Sequence, residues 1–211
     1  MRAFGAIVIA GLALLQAGCA TMNQDECLTG DWALVGYQDG SNGYPPSYLD
    51  KHAKACAAHG VRPDAATYLD ARERGLFEYC TPPRGFREGR MGRKYHGVCP
   101  PSTVPDFLAG YDDGLRVNAA EEHRDDIRRD VRRFEQRIDD IDEELDGIAD
   151  RLGESGLDKD TRESLEDTRR HLRRELRDAQ AGHDRAWRLE QAADDHATRL
   201  RIDLSRYYGD R

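Results

Sequence analysis

In the second half of the chain, apolar residues recur at alternating spacings of four and three: Ile127, Val131, Phe134, Ile138, Ile141, Leu145, Ile148 and Leu152. Nearly everything between them is charged, so this is a heptad seam with one narrow apolar stripe. A single stripe needs a partner. "GESGLD" (153–158) interrupts the helix, and Asp160 with Glu163 forms the expected capping pair of the next one. Leu165, Leu172, Leu176, Ala179, Ala186, Ala193, Leu200 and Leu204 then supply a looser facing stripe. Arms of about 104–152 and 160–207 predict an antiparallel helical hairpin roughly 70 Å long. Folding back at 153–158 sets the acidic run Asp139, Asp140, Asp142, Glu143, Glu144 and Asp146 beside Arg162, Arg169, Arg170 and Arg173. Each exposed pair contributes little, but together they disfavour other alignments. Trp187 is expected to cover a wide part of the hairpin. The alanine-rich second arm offers less apolar area, so a homo-oligomeric bundle is the competing arrangement.

The first half follows a different pattern. "WALVGYQDG" (32–40), "YLDARERG" (68–75) and "FLAGYDDG" (107–114) each end on a glycine, with Gly36, Ala71 or Gly110 four positions earlier. Small residues at i and i+4 share one helix face and let another backbone approach closely. Helices are therefore predicted near 29–41, 64–79 and from about 104, packed through glycine faces. A further helix, about 46–58, follows from Tyr48, Leu49, Ala53, Ala55 and Cys56, with Gly60, Pro63 and Asp64 as break and new cap. Asp39 and Asp113, beside these glycines, suit backbone or arginine hydrogen bonds better than catalysis.

At the amino terminus, Arg2 precedes an apolar run from Ala3 to Leu15 that is too short to span a bilayer. Ala17, Gly18 and Cys19 follow, the layout of a secretory signal over residues 1–18. The Ala-Gly-Cys end resembles the lipobox of bacterial lipoproteins, which implies cleavage before Cys19 and acylation of it, with 19–26 as a lipidated tether. Gln16 stands where such boxes usually carry leucine; ordinary cleavage after Ala20 is the alternative. Several acyl chains give stable anchoring where one is marginal. Ala20 and Thr21 lack the inner-membrane aspartate of that sorting pattern, so the expected address is the periplasmic face of the outer membrane.

Either route leaves Cys27, Cys56, Cys80 and Cys99, an even number in an oxidising compartment, hence two disulfides. Three connectivities are open. Antiparallel packing of the first two helices favours Cys27–Cys56, which leaves Cys80–Cys99 to close the loop before the long helix. Zinc is the rival, but no C-x-x-C pair or histidine spacing supports it.

Between Cys80 and Cys99, "TPPRGFREGRMGRKYHGV" reads as an irregular ribbon or short hairpin. Its glycines match no phosphate-binding loop. Arg84, Arg87, Arg90, Arg93 and Lys94 make it the basic surface of the chain, a candidate site for an anionic cell-wall polymer or lipid headgroup. From Cys27 to about Arg116, "WALVGYQDG", "YLDARERGLFEYC", "GFREGRMGRKYHGVCP" and "FLAGYDDG" are together similar to an uncharacterised family of bacterial lipoproteins, a domain of unknown function. The resemblance implies an envelope location and brings no activity, cofactor or catalytic residue.

Charge narrows the function. The net charge is −8, and the segment from Ala119 to Arg211 holds 27 acidic against 20 basic residues, seven of those eight charges. That disfavours nucleic acid and a polybasic grip on anionic lipid. The acidic run lacks the glycine and spaced ligands of a calcium loop, and there is no G-x-S-x-G, H-E-x-x-H or phosphate loop. The expected protein is mainly α: a disulfide-bonded helical domain (27–118), then the charged hairpin (119–211) continuing the helix from about 104. It needs no metal or cofactor. It would act as a non-catalytic structural or docking element held at the membrane by its lipid, meeting an envelope protein through the hairpin. An enzyme or binding module using residues 84–97 on cell-wall material is the alternative.

Overall fold

The computed structural model describes residues 21–209, which are mainly helical and contain no strand. The expected signal segment, 1–18, and Cys19 lie outside the described residues. The chain divides into two compact units, one of residues up to Tyr79 with His96–Val98, the other of Cys80–Tyr95 with Cys99 onward.

The first unit contains α1 (Gln24–Thr29), α2 (Trp32–Ser41), a 3-10 turn (Pro46–Tyr48) leading into α3 (Leu49–Ala57), and α4 (Ala65–Tyr79). Short polar residues start these helices. The Asn23 side chain accepts from the Glu26 N–H while Glu26 reaches back to the Asn23 N–H, a complete capping box. Asp31 caps α2, and Asp64, as expected, accepts from the Thr67 N–H ahead of α4. Helix α2 packs on α4 in parallel, with Gly36 opposite Tyr68 and Gly40 opposite Arg72. A Cβ on either glycine would lie 2.1–2.2 Å from a carbonyl oxygen of α4, so only glycine permits this approach. The core around the contact holds Met22, Cys27, Trp32, Cys56 and Tyr68. Within residues 21–26, read from sequence as tether, Met22 is packed into the unit: it is buried, and its sulfur lies 4.0 Å from Cys56 Sγ.

The second unit contains α5 (Pro82–Arg90), α6 (Val104–Gly153) and α7 (Lys159–Tyr208). Helix α5 corrects the expected ribbon over its first half. Thr81 accepts from the Arg84 N–H as N-cap and Pro82 occupies the first turn, where its missing N–H costs nothing. The glycines that argued for irregular chain, Gly85 and Gly89, share one buried face with Phe86. They face Phe107 and Tyr111 of α6, while Gly110 and Gly114 face Pro82 and Phe86 in return. This is again a parallel pair, in the same register as the first. In each pair the glycine of the leading helix meets the residue three positions before the small residue of the second: Gly36 with Tyr68 before Ala71, Gly85 with Phe107 before Gly110. "GFREG" is the fourth copy of the small-residue spacing. Each pair also has its own disulfide, Cys27–Cys56 and Cys80–Cys99, joining a cysteine ahead of the leading helix, in α1 for the first pair, to the connector that follows that helix. The described part of the domain is therefore an internal duplication.

Helices α6 and α7 pack along each other as the expected hairpin, 50 residues in each arm and so about 75 Å long. Ile141, Ile148, Leu165, Leu172 and Ala179 are buried in the seam. Gly182 makes room for Phe134, whose ring would lie 2.5 Å from a Cβ there. Three details differ from the sequence reading. The α7 cap is Asp158, which accepts from the Thr161 N–H, rather than Asp160. The shortest cross-helix ion pairs run in the opposite sense, from α6 arginines to α7 carboxylates, Arg128–Glu190 at 2.7 Å and Arg137–Glu175 at 2.6 Å, while Arg201–Glu121 at 3.9 Å runs in the expected one. Trp187 is 51% exposed and covers little. At its far end α7 returns to the glycine pair, where Tyr208 stacks on Phe86 at 4.9 Å and donates to Asp113 at 2.9 Å.

Candidate functional site

The densest buried polar cluster of the first unit gathers on the glycine contact. Close approach of α2 and α4 brings Asp39, three residues after Gly36, under the side chain of Tyr68. The Tyr68 hydroxyl donates to Asp39 Oδ2 at 2.6 Å. His52 of α3 reaches the same oxygen with Nε2 at 2.8 Å, and its Nδ1 lies 2.9 Å from the Thr21 hydroxyl. A carboxylate only accepts, so Nε2 is the protonated nitrogen facing Asp39 and Nδ1 accepts from Thr21 in the neutral ring. Asp39, His52 and Tyr68 are all buried. Burial, then the bond to Asp39, raises the Tyr68 hydroxyl far above the ordinary tyrosine range. Next to this cluster the Arg72 Nε donates to the Tyr44 carbonyl at 2.8 Å, while one of its terminal nitrogens is buried without a hydrogen-bond partner.

Hydroxyl, imidazole and carboxylate in a row invite comparison with a nucleophilic triad. The Asn23 and Glu26 N–H groups beside it do not supply the rest of one. Stabilising an oxyanion needs preorganised donors, and the neighbouring Asn23 and Glu26 N–H groups are both taken by the capping box. The row instead fastens the segment beginning at Thr21 onto α3 and α2.

A cleft of about 400 Å³ opens beside the cluster, lined by Thr21, Met22, residues of α1 and α2, and His52. A smaller one of about 180 Å³ lies by the stacked rings of Tyr44 and Tyr48, 4.1 Å apart, with Lys51 over Tyr48. Among the described residues no group of three His, Cys, Asp or Glu side chains is placed to hold a metal ion.

The equivalent aspartate in the second unit behaves in the same way. Asp113, three residues after Gly110, accepts from Tyr208 and pairs with Arg116 at 2.7 Å. Asp113 thus meets an arginine as expected, whereas Asp39 bonds tyrosine and histidine rather than backbone or arginine; tyrosine is the donor the two share. The arginine-rich segment is drawn onto carboxylates of its own unit. Glu88, 5% exposed, takes Arg84 at 3.0 Å and Arg93 at 3.2 Å, and Arg90 lies 3.8 Å from Glu121. Arg87 and Lys94 are exposed. Sequence reasoning missed His52, Tyr68 and Glu88 as members of these clusters. Only the i+3 offset from a helix-face glycine, shared by Asp39, Glu88 and Asp113, hinted at a common role.

No curated protein and no solved structure matches the chain. Residues 31–116 match the model of a family described as a protein of unknown function (DUF2799), a stretch that runs from the α2 cap to just past Gly114 and so takes in the paired glycine helices.

Proposed function

We propose that the protein is a non-catalytic lipoprotein of the outer membrane, facing the periplasm, whose charged hairpin serves as a spacing or docking arm for another envelope protein. The observation that carries this reading is the hairpin. Two 50-residue helices bury a continuous apolar seam and leave a surface of closely set acidic and basic residues. Such a surface favours selective, electrostatically steered contacts over catalysis. Anchoring through Cys19 adds a second advantage: confinement to the membrane raises the effective concentration of the arm toward neighbours. Only Ala20 separates Cys19 from Thr21, the first residue fastened to the first unit by His52. A lipid on Cys19 therefore holds that unit within a few ångströms of the bilayer surface.

Two measurements test the proposal. Metabolic labelling with an alkynyl fatty acid should mark the wild-type chain and leave Cys19→Ser unmarked; labelling of both would remove the anchor. Photo-crosslinking in cells, from probes at the exposed tip near Ser155 and along the hairpin, should yield one discrete foreign protein. Self-adducts alone would replace docking by an oligomeric spacer, and the absence of any adduct would overturn the arm as a contact surface.

A further inference from the structure

Tyr44 and Tyr48 stand outside the buried core of the first unit, the cluster around Trp32 and Tyr68. Their rings stack on each other instead, 4.1 Å apart and nearly parallel. Tyr44 is 37% exposed and Tyr48 half-buried. The cleft of about 180 Å³ beside them is lined also by Pro45, Ser47, Lys51 and His96, and by no carboxylate. The Lys51 ammonium sits 4.4 Å from the centre of the Tyr48 ring. In a chain whose net charge is −8, this is an aromatic surface with a lysine on it.

The same surface adjoins the amino-terminal end of the unit. The Tyr48 ring meets the His52 imidazole edge-on, with centroids 5.3 Å apart, and His52 Nδ1 lies 2.9 Å from the Thr21 hydroxyl. One imidazole thus separates the tyrosine pair from Thr21. Between Thr21 and Cys19 the sequence has only Ala20, and two residues of extended chain reach at most about 7 Å. A lipid on Cys19 brings the bilayer surface to Thr21, and so to the rings beside it.

We infer that the surface of Tyr44, Tyr48 and Lys51 lies on the bilayer, with the rings among the lipid headgroups and a headgroup phosphate on Lys51. The inference rests on the lipid anchor proposed above and adds an orientation of the first unit. Tyrosine presents an apolar ring and a wet hydroxyl, which suits the headgroup level where it is enriched in membrane proteins. Lysine lays its methylenes on apolar surface and keeps its ammonium in the headgroup layer. Ser47 and His96 in the same cleft add donors for a phosphate. Lys54 is exposed one turn further along α3, and Asp50, also exposed there, offsets one charge. Two lysines do not recruit a chain to lipid by themselves. The anchor does that, and confinement lets a weak contact choose which side of the unit lies down.

The test uses the mature chain expected from cleavage before Cys19, with both disulfides intact. Its Cys19 thiol, the one cysteine outside the two bridges, is coupled to a maleimide lipid in vesicles of phosphatidylethanolamine and phosphatidylglycerol. Because this anchor is installed chemically, an absence of lipid on Cys19 in cells shows in the fatty-acid labelling and leaves this measurement standing. Hydroxyl-radical footprinting read by mass spectrometry compares the anchored chain with Cys19→Ser free in solution. Phe77 is the reference: it is 70% exposed, on the face of α4 opposite Arg72 and Tyr79, the residues that meet the Gly43–Tyr44 segment. Tyr44 and Tyr48 should be oxidised severalfold more slowly on the vesicles, and Phe77 at an unchanged rate. Lys51→Glu, at an exposed position, should lift that protection, because exchanging lysine for a carboxylate at an anionic surface shifts the docked population by about tenfold or more. Equal tyrosine rates in the anchored and free chains overturn the inference, as does protection of Phe77 in place of the tyrosines or protection undiminished in Lys51→Glu. Protection in the free chain that grows with its own concentration assigns the pair to a second copy and overturns it as well.

Discussion

Replacing Gly40 by alanine asks directly whether backbone approach holds the first unit together. The added Cβ would lie 2.1 Å from the Arg72 carbonyl oxygen and 2.9 Å from its carbon, whereas ordinary contact begins near 3.4 Å. The helices must therefore separate by about 1.3 Å along that line. The obstacle is backbone, which cannot swing aside as a side chain would. Alanine gains up to about 1 kcal/mol of helix propensity, while forcing a methyl into a closed contact costs about 1–3 kcal/mol. Gly36 and Gly75 make equally close approaches in the same interface, so the upper end of that cost applies and the net loss is about 1–2 kcal/mol. The assay is urea unfolding followed by fluorescence of Trp32, which is buried in this unit, in a Trp187→Phe background. With an m-value of about 1–3 kcal/mol/M, the midpoint should fall by roughly 1 M. Gly147→Ala is the matched control: nothing lies within 4 Å of a Cβ there, so propensity alone acts and stability should rise by up to about 1 kcal/mol. If Gly40→Ala matches or exceeds the parent, close packing is not what orders α2 on α4 and the reasoning fails.

Three further outcomes follow from the geometry. Tyr208→Ala removes the ring stacked on Phe86 and the donor to Asp113, and should destabilise the second unit by about 3 kcal/mol in thermal or urea unfolding. In alkaline titration read by ultraviolet absorbance, Tyr208, held up to about 12 by burial and by its bond to Asp113, should ionise late. Because its folded value is raised, the stability it contributes is complete below about pH 10 and is lost as pH rises toward 12, a slope that Tyr208→Phe should remove. Replacing Cys80 and Cys99 together by alanine should cost about 3 kcal/mol, from the entropy returned to the loop they close, as measured by denaturation against the intact protein.

Much of the fold was legible because its signals are local. The alternating spacings from Ile127 to Leu152, the break at 153–158 and the cap at Asp64 place the hairpin and α4 within a residue or two. An even set of cysteines beside an expected secretory signal predicted two disulfides, and the favoured pairing is the one found, although α2 packs on α4 rather than on α3 as that expectation assumed. Helix α5 was missed because two prolines and repeated glycines outweigh helix formation when each residue is weighed alone. Its signal was the spacing of Gly85 and Gly89, already recognised in three other segments, together with Thr81 before Pro82. The charge register of the hairpin was misread because exposed pairs are individually weak, and long side chains choose partners by rotation about the seam. Asp39 was singled out from sequence, but its partners His52 and Tyr68 lie 13 and 29 residues away and meet it only after α3 and α4 have packed. Such clusters are assembled by tertiary contact and leave no periodic trace.

The identical register of the two glycine pairs creates a hazard during folding. A leading helix from one repeat presents nearly the same small-residue face as its counterpart, so α2 is a plausible mate for the partner helix of the other repeat, within one chain or between two. Exchange of this kind is how repeated sequences misassemble. The disulfides act against it by their placement. Cys27–Cys56 and Cys80–Cys99 each close a short loop, with separations of 29 and 19 residues, wholly inside one repeat. Once formed, each bridge binds a leading helix to the connector of its rightful partner before the helices need to dock. Oxidation thus settles a choice of partner that the glycine faces, being near copies of one another, leave open.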